Sequence, residues 1–247
     1  MRKTDSIEKV SNDYFDSIFS RSNYLTKSEY ESNAGELDFY FGNYLPADKD
    51  AQMLDIGCGT GHFLYYLEKK GYKNFLGIDI SESQVKFCRD NITANVEVAD
   101  AFKFLADKIN NYSVISANDV IEHIPKERVI SFLTLTFLAL IPNGILLLKL
   151  PNMSNPFSID IRYKDFTHEC GFTEKSIYQV LYVAGFRDIK VYPSFFSGKS
   201  IKSYIISKLI SLLHFILKKL FWYQGFTAPQ ILSSRLIVIA RKAEDAL

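Results

Sequence analysis

Apolar residues recur along this chain with two different periods, and the change of period divides it. In the first 50 residues the spacing is helical. Ile7, Val10, Tyr14, Phe15, Ile18 and Phe19 fall on one stripe, with Thr4 or Asp5 in position to cap it. Leu37, Tyr40, Phe41 and Tyr44 repeat the stripe until Pro46 ends it. Residues 1–50 therefore read as a helical flank or lid.

From Met53 onward, short apolar runs alternate with helical stretches. The runs predict strands at 52–56, 74–80, 96–99, 113–118 and 144–150. Helices are expected between them at 63–70, 83–91, 103–108 and 126–140. A capped helix at 173–184 and two further strands at 187–192 and 235–240 follow. Strands that alternate with helices imply right-handed crossovers and a parallel sheet covered on both faces. The expected fold is α/β, a doubly wound, mostly parallel, seven-stranded sheet of Rossmann-like type over 51–247.

Composition narrows the function. The 247 residues carry 29 basic and 28 acidic side chains, a net charge of +1. Phosphate contacts supply most of the affinity of nucleic-acid binders, so this balance argues against an RNA or DNA substrate. Three cysteines, Cys58, Cys88 and Cys170, match neither a disulfide framework nor a zinc site. The N-terminus shows no apolar signal region, so a cytoplasmic protein is expected. Aromatic residues make up 15%, enough for an aromatic core or an aromatic-lined pocket.

The candidate chemistry begins at the first strand, where Leu54-Asp55-Ile56-Gly57-Cys58-Gly59-Thr60-Gly61 opens a helix. Glycines at such a turn let backbone amides approach a ligand at the positive end of the helix. The G-x-G-x-G spacing lacks the third glycine of the dinucleotide fingerprint. Asp79 ends the second strand 18 residues after Gly61, where a carboxylate can accept from both hydroxyls of a ribose. Asp100 ends the third strand, within reach of an adenine amino group, and Asn118 and Asp119 end the fourth. All lie where open α/β sheets bind ligands.

The segment from Met53 to Pro151 resembles the class I S-adenosylmethionine-dependent methyltransferases. The resemblance rests on L-D-I-G-C-G-T-G, G-I-D-I-S, A-D-A, N-D-V-I-E-H-I and the P-N-G-I-L-L-L strand entry. It implies S-adenosylmethionine as cofactor, with Asp55, Gly57, Cys58, Gly59 and Gly61 around its methionine part and Asp79 on its ribose. It also implies Ile80 packed on adenine, and Asp100 and Ala101 at the edge of that ring. The final strands, 187–192 and 235–240, would form the antiparallel hairpin that ends the family sheet.

The acceptor pocket is expected from the flank and from the long segment 151–172, which contains R-Y-K-D-F-T-H-E-C. Residues 160–186 resemble methyltransferases encoded with bacterial capsule and O-antigen genes. That resemblance implies a carbohydrate or nucleotide-sugar acceptor and, by extension, O-methylation of a cell-surface glycan or its precursor. A sugar hydroxyl needs a base, and a positioned one typically adds roughly 10²–10⁴-fold. His168 is the first candidate, oriented by Glu169 or Asp165; a structural loop hydrogen bond is its bland alternative. His123 is the second candidate, although its Glu-His pair recurs in ubiquinone-pathway enzymes and shapes the cofactor pocket there. Asp160, Asp165, His168 and Glu169 offer oxygen and nitrogen ligands, but without metal-site spacing, so no metal is expected.

Residues 200–222 form an inserted helix that is apolar around most of its circumference. Lys202, Lys208 and Lys219 interrupt it and argue against a membrane span. Such a helix needs cover. Packing on its own domain is the simplest expectation, with a homodimer seam or a membrane surface as the other two covers. Two competing functions stand beside sugar methylation: methylation of a lipophilic quinone-like phenol, and a cofactor-binding scaffold without turnover.

Overall fold

The computed structural model describes residues 25–194 and 201–244, so the stripe from Ile7 to Phe19 lies outside the described residues. Its first helix is α1 (Lys27–Phe41), capped by Thr26, whose hydroxyl accepts from the Glu29 amide. Then come β1 (Met53–Ile56), α2 (His62–Lys69), β2 (Phe75–Asp79), α3 (Glu82–Asn91) and β3 (Val96–Val98). They continue with α4 (Ala101–Leu105), β4 (Tyr112–Asn118), α5 (Val129–Ala139) and β5 (Leu140–Pro151). The last part holds α6 (Ile159–Lys164), α7 (Glu174–Val183), β6 (Asp188–Pro193), α8 (Ile201–Tyr223) and β7 (Arg235–Arg241).

The strands form one seven-stranded sheet in the order β3-β2-β1-β4-β5-β7-β6, with β7 antiparallel to both neighbours. Every residue of β1 is buried, as a strand covered on both faces requires. One face packs on α4, α5 and α7 through Phe132, Leu133, Leu146 and Phe186. The other packs on α1, α2 and α3 through Phe41, Leu64, Leu67 and Val85. The segment expected as a flank thus contributes α1 directly to the core.

Four boundaries differ from the sequence pattern. The fourth helix starts early, at Ala101, because the Asp100 carboxylate caps it through the Lys103 amide. The helix expected at 126–140 divides into a 3-10 turn, Lys126–Arg128, and α5. Strand β5 begins at Leu140 instead of 144, with a register irregularity opposite Tyr112 and Asn143 at φ 63°. The acceptor segment is no open loop: it contains α6 and a short parallel bridge from Asn152 to Phe172.

The largest departure is α8. Among the described residues nothing gives it the expected cover: Leu209 is 61% exposed, and Ile205 and Ile216 are also open. The insertion between β6 and β7 leaves the helix on the rim of the sheet, beyond the two layers that bury the core.

If α1 belongs to the core, Phe41→Ala should lower stability by roughly 3–5 kcal/mol. Phe41 is fully buried and packs its ring edge-on at 6.4 Å from Phe63. A melting temperature within a degree or two of the parent protein would show α1 to be a detachable flank.

Candidate active site at the carboxyl edge of the sheet

The turn after β1 reverses the chain in a left-handed conformation, with Gly57 at φ 64° and Gly61 at φ 89°. A Cβ on Gly57 would stand 2.4 Å from Val120 Cγ2, so this turn meets the loop after β4 in direct contact. Asp79 ties the turn to the end of β2. Its Oδ2 accepts from the Gly59 amide at 2.9 Å and its Oδ1 from the Ser81 amide at 2.8 Å. Burial raises its pKa, and those amides pull the other way. Each oxygen keeps a lone pair for a further donor.

The neighbouring side chains take different parts. Asp55 lies beneath the turn and accepts from the Ser116 hydroxyl; burial pushes its pKa up to about 7, so much of it is protonated at neutral pH. Cys58 turns inward against Gly77, where a Cβ would come within 2.9 Å of its sulfur. Ile80, next to Asp79, is 55% exposed and offers an open apolar surface. Asp100 and Ala101 begin α4 at the end of β3. Asn118 ends β4 with its Oδ1 buried and unpartnered. Asp119 is taken up by cations: it pairs with Arg235, and Lys149 stands 3.8 Å away. Its φ of 55° marks the strained exit from β4.

Sequence reasoning missed what α1 adds. The Tyr30 hydroxyl donates to the Thr60 carbonyl at 2.9 Å, and its ring stacks on His62 at 4.3 Å. Burial, helped by Lys149, lowers the His62 pKa to about 4. Only the three-dimensional fold joins residues this far apart, although an aromatic helix beside a glycine turn was a hint.

On the acceptor side, the structure brings both predicted histidines together. Their rings meet edge-on with centroids 4.7 Å apart. Amides of Glu169 and Cys170 donate to the Glu122 carbonyl at 2.8 and 3.1 Å, which stitches segment 151–172 to the turn after β4. Arg162 bonds the carbonyls of His168 and Glu169. The Thr167 hydroxyl donates to Asp165 at 2.7 Å, so it must accept from His123 Nδ1 at 2.8 Å. That relay assigns the proton to Nδ1 and the lone pair to Nε2. Asp165 is thus the orienting carboxylate, acting through Thr167 on His123, whereas Glu169 takes part through its backbone.

Burial lowers the His123 pKa to about 4 and depresses His168 as well, against the opposing charge of Asp165. Glu122, buried beside them, is pushed up to about 8 by burial, and its Oε2 has no partner. Ligand atoms of Glu122, His123 and His168 lie within 4.8 Å of one another, a set that could hold one divalent ion. Asp160 and Glu169, considered as ligands from the sequence, are not in this set.

The sequence profile of a family described as a methyltransferase domain matches residues 28–191. A SAM dependent methyltransferase of known structure from Archaeoglobus fulgidus is 23% identical, with a TM-score of 0.64. The match covers 86% of this chain and 94% of that one. The ribosomal protein L11 methyltransferase of Ruminiclostridium cellulolyticum is 37% identical over 75 residues, 28% of this chain and 24% of that protein. The carboxy-S-adenosyl-L-methionine synthase of Actinobacillus pleuropneumoniae is 27% identical over 143 residues, 52% of this chain and 58% of that protein. The chain spans less than two thirds of either curated relative.

S-adenosylmethionine fits the residues at this edge. Buried polar atoms are normally partnered, yet Glu29 Oε2, Thr60 Oγ1, His62 Nδ1 and Asn118 Oδ1 are not. Glu29 lies on α1, Thr60 in the glycine turn, His62 at the start of α2 and Asn118 at the end of β4. Asp79 has lone pairs left that could accept from a ribose diol, and Ile80 an exposed apolar face that could take an adenine. Asp79→Ala should weaken S-adenosylhomocysteine binding by roughly 1.5–3 kcal/mol, about 10- to 150-fold, in calorimetry. Unchanged affinity would remove Asp79 from the site.

Proposed function

This chain belongs to the methyltransferase-domain family, and we propose that it methylates a hydroxyl of a carbohydrate or nucleotide sugar destined for a bacterial cell-surface glycan. The observation that carries this reading is the histidine pair, of which His123 stands on the loop after β4, the loop whose Val120 meets Gly57 of the glycine turn. A hydroxyl acceptor needs a base there, and a neutral imidazole is the side chain suited to it near pH 7.

Bound at the carboxyl edge, S-adenosylmethionine supplies a methyl group already activated by its sulfonium. Asp79, the glycine turn and Ile80 hold and orient it. His168 removes the acceptor proton. His123 is a positioning residue: the Asp165–Thr167 relay fixes its ring, which packs against His168. Tyr163 and Phe166, on the segment that carries His168, are exposed and present ring faces on which the apolar side of a sugar packs. Closure of that segment over the acceptor would exclude water from the transfer.

The exposed aromatic and aliphatic side chains of this segment also suit a lipophilic phenol. A phenol is far more acidic than a sugar hydroxyl, so its methylation depends less on a base. Radiolabelled methyl transfer to nucleotide sugars, glycan fragments and quinone-like phenols separates the two readings.

On a sugar acceptor, His168→Ala should lower kcat by about 10²–10⁴-fold while S-adenosylhomocysteine affinity stays within two-fold. Because the base works deprotonated and burial lowers its pKa, kcat/KM should rise with pH through a midpoint below 6.5 and level off above it. Turnover of His168→Ala within a few-fold of the parent would make His168 structural.

A further inference from the structure

Helix α8 is amphipathic in the wrong sense for a helix packed on its own domain. Its partly covered side carries Ser207, His214, Leu217, Lys218 and Phe221, a mainly polar strip. Its open side carries Ile205, Leu209, Leu212, Ile216 and Leu220, spaced along one helical face. Trp222 and Tyr223 end the helix, both largely exposed, with Phe226 just beyond. Monomeric proteins rarely leave so continuous an apolar face in water.

Charge selects what covers it. Between Asp188 and Glu244 the chain has no acidic residue, while α8 itself carries Lys202, Lys208, Lys218 and Lys219. A second copy of this helix would bring lysines to lysines with no carboxylate to pair them. An anionic lipid surface meets both properties, the apolar side chains and the cationic flanks. Among the described residues no helix is long and apolar enough to cross a membrane, so α8 would lie on the surface.

Topology then sets the orientation. The end of β5, the end of β6 and the start of β7 adjoin at one corner, where Pro151 pairs with Arg235 and Pro193 with Leu236. The acceptor segment and the α8 insertion both leave the sheet there. Hydrogen bonds join them: Asn152 donates to the carbonyls of Ile231 and Ser233, and Asn155 to that of Leu232. Lys218 ties α8 to the Gln230 carbonyl at 2.6 Å. Phe157, Tyr163 and the 81% exposed Phe166 are open on the acceptor segment.

We propose that α8 is an interfacial helix that seats the protein on an anionic lipid bilayer, with the acceptor segment turned to the same surface. The helix would then hold the site where a lipid-carried sugar is presented, a substrate class that rests on the sugar-hydroxyl reading above.

Vesicle binding tests the seat without any acceptor, so its failure and the failure of the sugar reading remain separate. The full chain should co-sediment with vesicles of phosphatidylcholine containing about one third phosphatidylglycerol, and far less with phosphatidylcholine alone. Emission from Trp222, the one tryptophan of the chain, should shift to the blue on binding. Leu209→Ser with Ile216→Ser should remove binding while leaving the melting temperature unchanged. Lys202→Gln and Lys208→Gln should each weaken it about five-fold at low salt. Vesicles should slow amide exchange in α8 and in 157–166.

Three results would overturn the proposal: equal binding to neutral vesicles or none to anionic ones, a lower melting temperature for the serine variants, or a parent dimer that those variants dissociate.

Discussion

A parallel sheet buried on both faces leaves nowhere for polar chemistry except the ends of its strands. Strand β1 shows how strict this is, since all four of its side chains are buried and its one carboxylate, Asp55, sits under the turn paired with Ser116. The groups singled out as functional, from Gly57 to His168, follow a strand terminus at the same edge. Helix α8 obeys the same constraint. It is inserted between the edge strand β6 and its neighbour β7, where an insertion disturbs neither layer of the core.

Burial also decides the charges of that edge. Asp55 at about 7 and Glu122 at about 8 are raised because water is excluded, and His62 and His123 at about 4 are lowered for the same reason. Near neutral pH Glu122, His62 and His123 are thus mostly uncharged, and Asp55 is about half ionised. Asp79, held by two amides, is itself raised by burial, and its charge adds to the upward push on Asp55. The relay from Asp165 through Thr167 to His123 keeps a carboxylate near the histidines.

Much of this was legible in the chain. Period changes located all seven strands, and the spacing from Gly61 to Asp79 put the glycine turn and Asp79 at one sheet edge, because both depend on residues near in sequence. What was not legible depends on contacts across the fold. Tyr30 reaches Thr60, Asp165 reaches His123 through a threonine, and Asp119 turns toward Arg235, all pairings without a local signature. Helix α8 misled for a different reason. Near-uniform apolarity reads as burial, but only the topology reveals that its mainly polar strip faces the body of the protein.

The central claim is that cofactor and acceptor meet at this one edge. Amide exchange with and without S-adenosylhomocysteine tests it across the whole chain at once. The account predicts slower exchange at 57–62, 79–81 and 100–102, with residues 106–111 and 141–144 at the opposite edge unchanged. Protection at the opposite edge, or none at the glycine turn, would contradict it.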